Sequence, residues 1–277
     1  MNRLIVAAAL LLMPFFLRSQ IVEAGFSGGV AMYSGDLTPK GFGLYLQDSR
    51  PAIGFFSRMN FSSRLAARFA VNFASVGGDD ENTPNVGRGL SFQSDILEIS
   101  SSVEWNVFRL GSSEYGEVFP FVFAGIGFFH MSPEARLEDT WVMLQALGTE
   151  GQGLPGYPEP YNLYQLMVPF GAGFKLKLNE RTTLGIEFSA RKLFTDYLDD
   201  VSATQVNYLD VLNGNGKLAA QFSNPNINPD DPGDAALDYM RGSPYNDWYY
   251  MLNATLSFRL KEKAPLSSRA FACPKFK

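Results

Sequence analysis

The last long hydrophobic segment of the chain alternates strictly between two kinds of residue. In residues 248–260 every second side chain is apolar, and the positions between them include Asn253, Thr255 and Arg259. A period of two residues marks a β-strand with two different faces. Strands of soluble proteins commonly have about five or six residues, whereas a tilted strand that crosses a membrane needs about nine to eleven. The length of this segment therefore predicts a membrane strand, provided that the pattern recurs.

The same alternation occurs seven more times along the chain. One of these segments, 118–130, has apolar residues on both faces, so its orientation is the least determined. The predicted strands are residues 22–33, 52–61, 65–76, 94–108, 118–130, 164–178 and 182–191. With the segment that ends at residue 260, they make eight.

The connections between these strands alternate in length. Short turns on one side and long loops on the other are typical of outer-membrane barrels, and closure removes edges that lipid would leave unpaired. The short links are 62–64, 109–117 and 179–181, and the long ones are 34–51, 77–92, 131–163 and 194–247. We predict an all-β fold, an eight-stranded antiparallel transmembrane β-barrel with long extracellular loops. The alternative is a secreted soluble sandwich, which would have shorter strands.

The first twenty residues are typical of a secretory signal peptide. Arg3 precedes an apolar run that ends at Arg18, too short to span a bilayer as a mature helix. We expect a signal peptide at 1–20, a barrel at 21–260 in the outer membrane, surrounded by its lipids, and a periplasmic tail at 261–277; a retained N-terminal anchor is the alternative. Cleavage moves the net charge from −5 to about −7, which argues against nucleic acid as a partner.

The predicted inward faces carry nearly balanced charges. The interior of an eight-stranded barrel is just wide enough for side chains to fill, and a lone buried charge is costly. We therefore expect an ion-pair network that plugs the lumen; a narrow ion channel is the alternative. Its members are Glu23, Arg58, Arg68, Glu98, Glu104, Lys175, Glu187, Arg191 and Arg259.

Three features invite a chemical interpretation, and the sequence favours a structural one for each. His130, Ser132 and Glu134 resemble the His, Ser and acid of outer-membrane lipid A deacylases, but a His-x-Ser triplet arises easily by chance. The aspartates of the last long loop match no calcium-loop spacing and predict a solvated acidic loop; the seven considered are Asp196, Asp199, Asp200, Asp230, Asp231, Asp234 and Asp238. The glycine-rich segment 148–153 lacks the lysine of a phosphate-binding loop. We predict no catalytic residue, no metal site and no cofactor.

The segment after the last strand is basic and carries the chain's one cysteine, Cys273. A single cysteine in an oxidising compartment favours pairing with another chain or a free thiol. An incidental thiol in a frayed tail is the alternative. We select Phe271, Cys273, Pro274 and Phe276 as the partner-binding residues of this tail.

Several segments together resemble one group of barrel proteins from the Bacteroidetes. Their order and spacing are more specific than any one of them. The segments are Tyr33 to Leu37, Gly125 to His130, Gly148 to Gly153, Arg191 with Phe194 to Ser202, Asn246 to Tyr249, and Cys273 to Phe276. The chain is similar to the PorG-like barrels of the type IX secretion system, a family of unknown function in many genomes.

This resemblance implies a structural, non-enzymatic role. Such a barrel would anchor a periplasmic ring of lipoprotein and partner subunits in the outer membrane, with Cys273 in contact with the ring. Two alternatives remain open: a stand-alone barrel that binds through its outer loops, and the lipid-modifying enzyme.

Overall fold

The computed structural model describes residues 21–39, 43–111, 116–137, 139–233 and 238–260. Eight long strands build a barrel and three short ones lie in its loops. The barrel strands are β1 (Ile21–Ser34), β2 (Arg50–Asn60), β3 (Leu65–Asp79), β4 (Ser91–Asn106), β5 (Val118–Leu137), β7 (Tyr164–Lys177), β8 (Thr182–Leu193) and β11 (Trp248–Arg259). The loop strands are β6 (Thr140–Met143), β9 (Gln205–Asn207) and β10 (Asp238–Met240).

The barrel closes with every strand antiparallel to both of its neighbours. Around the ring the order is β1, β2, β3, β4, β5, β7, β8 and β11. The β1–β11 ladder, in which Glu23 lies opposite Arg259, joins the first strand to the last. The predicted eight-stranded antiparallel barrel is confirmed. Both ends of the described chain lie at the short-turn end, which is the periplasmic end of such a barrel.

Several strands run further than the alternation of apolar residues predicted. β5 has 20 residues and continues to Leu137, where β6 pairs back onto it. β3 likewise continues to Asp79. The outward residues of these extensions are polar, so they carry no apolar alternation, but the backbone ladder continues through them. The barrel wall therefore projects beyond its apolar band on the long-loop side.

The outer wall of the barrel is apolar. On β5, the side chains of Ile126 and Phe128 are 66% and 62% exposed, whereas Phe121 and Phe129 are buried, which settles the orientation that the sequence left open. Other exposed apolar residues include Phe26, Ile53, Phe55, Phe69, Phe73, Ile99, Val103, Trp105, Leu166, Phe174 and Ile186. Among the residues described, no helix is long and apolar enough to cross a membrane.

The interior has two parts. The half near the short turns is polar and charged. The half near the long loops holds an apolar core that includes Tyr33, Phe129, Met131 and Met251 from the strands. Each large apolar side chain buried there contributes about 1.5–3 kcal/mol. The sequence had predicted only the charged part.

The long loops continue this apolar core outward as a folded cap. Leu37, Leu90, Leu144 and Leu198 come from four different loops and join the same cluster, together with Phe222 of the last loop. The last loop also contains two short helices, α1 (Tyr208–Gly214) and α2 (Lys217–Ser223), which pack around a second small core. Asn207 caps α1 by accepting hydrogen bonds from the first-turn amides. The extracellular loops thus form a packed layer over the barrel.

Candidate functional site

The charged half of the lumen is organised around two buried carboxylates. Glu104 on β4 is 1% exposed and accepts a hydrogen bond from the Nε of Arg58 at 2.6 Å. The ammonium group of Lys175 binds the same carboxylate, and Arg58 also pairs with Glu23 at 2.9 Å. Deeper in the barrel, the Nε of Arg191 donates to Glu98 at 2.9 Å.

One ion pair crosses the whole diameter of the barrel. Arg68 on β3 and Glu187 on β8 stand four strands apart in the ring of eight, and their charged atoms lie 2.6 Å apart. The guanidinium of Arg68 also covers the ring of Phe56, 4.3 Å from its centroid. Tyr249 donates to Glu98 at 2.8 Å, at the boundary with the apolar core. These side chains fill the cross-section of the barrel.

Eight of the nine residues selected from the sequence for this network come together, as four acids and four cations. Arg259 differs from the prediction: its side chain is exposed and no carboxylate of the described residues lies within ion-pair distance. It lies at the end of β11, where the barrel opens to the periplasm. There, Arg259 and Arg181 line a polar vestibule of about 420 Å³.

The cap contains the second charged cluster, and it is buried rather than solvated. Asp200 and Glu150 are fully buried, and their carboxylates lie 3.3 and 3.7 Å from the guanidinium of Arg241. Asp200 also accepts hydrogen bonds from Thr149 and Tyr161. The prediction of a solvated acidic loop is wrong here, although Asp230 and Asp231 are exposed as expected.

Two further aspartates of the cap are buried around one tyrosine. The hydroxyl of Tyr33 lies within hydrogen-bond distance of both Asp199 and Asp247. Backbone amides of Val201 and Leu198 bind the other carboxylate oxygens. Burial, and then mutual repulsion with other acids, raises the pKa of both aspartates.

Asp196 lies next to this pair and has one buried oxygen without a hydrogen-bond partner. Burial, followed by the charges of Asp199, Asp36 and Glu150, raises the pKa of Asp196 to about 9. A pKa at that level keeps the Asp196 carboxyl protonated at neutral pH. Within the described part of the chain, no group of three acidic, His or Cys side chains has the arrangement of a metal site.

The contact between the glycine-rich segment and Arg241 was not predicted from the sequence. Gly148, Gly151 and Gly153 all have positive φ, the left-handed conformation that glycine adopts without steric cost, and the resulting turn places Thr149 and Glu150 against Arg241. The sequence does contain one indication of this contact. Arg241 is the one arginine between residues 194 and 247, a loop with nine aspartates.

His130, Ser132 and Glu134 lie on one outward face of β5. Successive positions on one face of a strand are about 6.5 Å apart. The ring of His130 packs against Tyr164, with 4.8 Å between centroids. The hydroxyl of Ser132 donates to the backbone carbonyl of Asp95 at 3.3 Å. In this structure the Ser132 hydroxyl is directed to the backbone and not to the imidazole.

The predicted signal peptide, 1–20, and the tail with Phe271, Cys273, Pro274 and Phe276 lie outside the described residues. The described chain ends at Leu260, beside the periplasmic vestibule.

A closed barrel with an apolar wall and a charged interior is stable only in a membrane. The molecule is a small outer-membrane β-barrel protein. The family model described as a domain of unknown function, DUF6089, matches residues 2–221. The chain belongs to this family.

Solved structures with a similar fold are also outer-membrane barrels. Neisserial surface protein A is 10% identical, with 86% of this chain and 97% of that chain covered and a TM-score of 0.42. OprG from Pseudomonas aeruginosa is 11% identical, with 87% and 96% covered and a TM-score of 0.37. Ail of Yersinia pestis is 9% identical, with 87% and 97% covered and a TM-score of 0.34. No curated protein matches the sequence.

Proposed function

We propose that this barrel is a non-enzymatic outer-membrane component of a type IX protein secretion complex, where it anchors a periplasmic ring of partner proteins. The observation that carries the proposal is the filled lumen, because Arg68 and Glu187 meet across it at 2.6 Å and an apolar core lies above them. A barrel that leaves no path for solutes acts through its surfaces.

The two ends of the barrel differ in a way that favours the periplasmic one. At the extracellular end, four loops are packed together by buried ion pairs and apolar contacts. At the periplasmic end, the interior is open as a vestibule, and the described chain ends there at Leu260. In the sequence, Leu260 is followed by the basic segment with Cys273. The resemblance to PorG-like barrels supports the same assignment, since it implies a periplasmic ring as partner.

The test is electrophoresis of cell envelopes without reducing agent, comparing the natural chain with Cys273→Ser. We expect a higher-mass adduct that contains a periplasmic protein, that reductant removes and that the Cys273→Ser variant lacks. Affinity purification under mild detergent should recover the same partner. Absence of the adduct together with absence of a co-purifying periplasmic partner would contradict the proposal.

A second function rests on the folded cap. Loops that bury Asp200, Glu150 and Arg241 together form a stable surface, and such a surface suits a stand-alone barrel that binds ligands outside the cell. Deleting α1 and α2 from the last loop separates the two functions. The anchor function predicts that the periplasmic adduct persists in that deletion with the barrel still folded. Loss of extracellular ligand binding in the deletion, together with no periplasmic adduct in the natural chain, would favour the second function.

A further inference from the structure

The periplasmic vestibule is a polar cavity on the barrel axis. Glu23, Arg58 and Lys175 of the lumen network form its floor. The charged residues of its sides are three cations and two acids: Lys177, Arg181, Arg259, Glu117 and Glu180. Its volume of about 420 Å³ lies within the range of small-ligand pockets, about 300–1,000 Å³. The cavity therefore has room for the side chains of a short segment of another molecule.

The cations around this cavity differ in how well they are neutralised. Arg58 and Lys175 on the floor bind Glu104. Lys177 lies 3.9 Å from Glu117. For Arg181 and Arg259, both exposed, the described residues provide no carboxylate within ion-pair distance. Among the described residues, these two guanidinium groups at the edge of the vestibule therefore have no carboxylate partner.

The charge of the chain is strongly polarised along the barrel axis. The described periplasmic segments 61–64, 107–111, 116–117, 177–181 and 259–260 contain five Lys or Arg and two acidic residues. The described extracellular segments 35–39, 43–49, 80–90, 139–163, 194–233 and 238–247 contain three Lys or Arg and fifteen acidic residues. A chain with an overall charge of −5 therefore presents a basic end to the periplasm, and such a field attracts acidic partners and speeds their encounter.

Two other occupants fit less well. The chain's own tail beyond Leu260 is basic, with Lys261 and Lys263 at its start, so like charges disfavour its entry. Anionic lipid headgroups would meet the outer wall of the barrel, which carries exposed Leu65 and Leu178, whereas the vestibule lies inside the ring of strands. A polypeptide entering from the periplasm reaches the cavity along its axis.

We infer that the periplasmic vestibule binds an acidic peptide segment of a partner protein, whose Asp or Glu side chains pair with Arg181 and Arg259. The inference rests on the proposed function, because it names the chemistry of the partner surface that the anchor would hold. Guanidinium groups form two parallel hydrogen bonds with a carboxylate, so both arginines provide directional contacts as well as charge.

The test uses the full-length protein in phospholipid nanodiscs and a fluorescent peptide that alternates Asp with Gly. We expect saturable binding by anisotropy that weakens as salt rises from about 0.1 to about 1 M, because the Debye length shortens from about 10 to about 3 Å. A peptide with Asn in place of Asp serves as the matched control. The double variant Arg181→Glu/Arg259→Glu should weaken binding about tenfold or more.

Lys192→Glu is the control variant, because Lys192 is an exposed cation on the outer wall of β8 near the extracellular end. It should bind the acidic peptide like the natural chain. Equal binding of the Asn peptide, or unchanged affinity in the Arg181→Glu/Arg259→Glu variant, would overturn the inference. So would complete loss of peptide binding when the nanodisc lipid is made anionic, since this would assign the arginines to lipid.

The two proposals fail in different ways. If envelopes contain the Cys273-dependent adduct and the Arg181→Glu/Arg259→Glu variant keeps it at its normal level, the vestibule inference is wrong and the anchor stands. If the acidic peptide binds as expected and envelopes contain no periplasmic partner, the vestibule site stands and the secretion role is wrong.

Discussion

Arg68 and Glu187 stand on opposite walls of the barrel and meet at 2.6 Å in its centre. They are separated by 119 residues in the sequence and by four strands around the ring. Such a contact requires both side chains to extend inward from strands in correct register, since a slip of one residue would turn either of them to the lipid. The pair therefore reports both the closure of the barrel and the filling of its lumen.

Removing one member of this pair should be costly. Glu187→Gln leaves the buried guanidinium of Arg68 without its closest counter-charge, and breaking a buried pair costs about 3–5 kcal/mol. We expect a loss of this size in the free energy of unfolding, measured by urea titration in lipid vesicles. Lys217→Gln, which removes an ion pair with Asp230 that is more than two-thirds exposed, is the control. Equal effects of the two variants would contradict the buried role of the pair.

The filled lumen predicts that the protein does not conduct ions. Purified barrel inserted into planar lipid bilayers should stay at the background conductance, because Arg68, Glu187 and Glu104 occupy the cross-section with paired charges. The control is a larger porin in the same bilayers. Stepwise conductance of the natural chain would restore the channel alternative.

The buried aspartates of the cap predict a stability that falls as pH rises. The raised pKa of Asp196, about 9, means that the folded cap holds a proton that the unfolded loop releases near pH 4. This contribution to stability is complete below about pH 4 and is lost as pH rises towards about 9. Hydrogen exchange of residues 194–247 should therefore be faster at pH 9 than at pH 6, after correction for the intrinsic rate.

The matched variant for this effect is Asp196→Asn, which keeps the shape of the side chain and removes its titration. Its cap should lose less protection between pH 6 and pH 9 than the natural cap does. An identical pH dependence in both proteins would contradict the assignment.

The positions of His130 and Ser132 predict that neither performs chemistry on lipid. The hydroxyl of Ser132 binds the carbonyl of Asp95 and the imidazole packs on Tyr164. His130→Ala and Ser132→Ala should leave the lipid A acylation pattern unchanged, measured by mass spectrometry of extracted lipid. A change in the acylation pattern in either variant would favour the lipid-modifying enzyme over the structural role.

The sequence predicted the barrel because one rule governs every strand: lipid requires apolar residues on the outer face, and alternation follows. The same rule explains why the strand extensions and the loop contacts were not predicted. Asp79 and Leu137 lie in strand extensions beyond the lipid, where no alternation is required. Asp200 and Arg241, 41 residues apart, are joined by loop folding that leaves no periodic trace.

The sequence predicts which charged residues line the lumen, but it does not predict which of them form ion pairs with each other. Alternation identifies which charged residues point inward, but the partner of Arg68 depends on the radius and shear of the closed barrel. Arg259 shows the limit of the pattern. It occupies an inward position by alternation and lies opposite Glu23 in the ladder, but Glu23 pairs with Arg58 and the side chain of Arg259 is exposed at the mouth of the barrel. The position of Arg259 at the periplasmic end of the barrel, and not the inward or outward alternation, determines how exposed its side chain is.

The central claim, that the barrel acts through its periplasmic end, is tested most directly by photo-crosslinking in living cells. A photoreactive amino acid replaces Ser63 at the vestibule or, in a separate strain, Tyr245, which is 76% exposed on the extracellular loops. We predict a crosslink to a periplasmic protein from position 63 and none to such a protein from position 245. Absence of any protein adduct at position 63, with a specific adduct at position 245, would contradict the account.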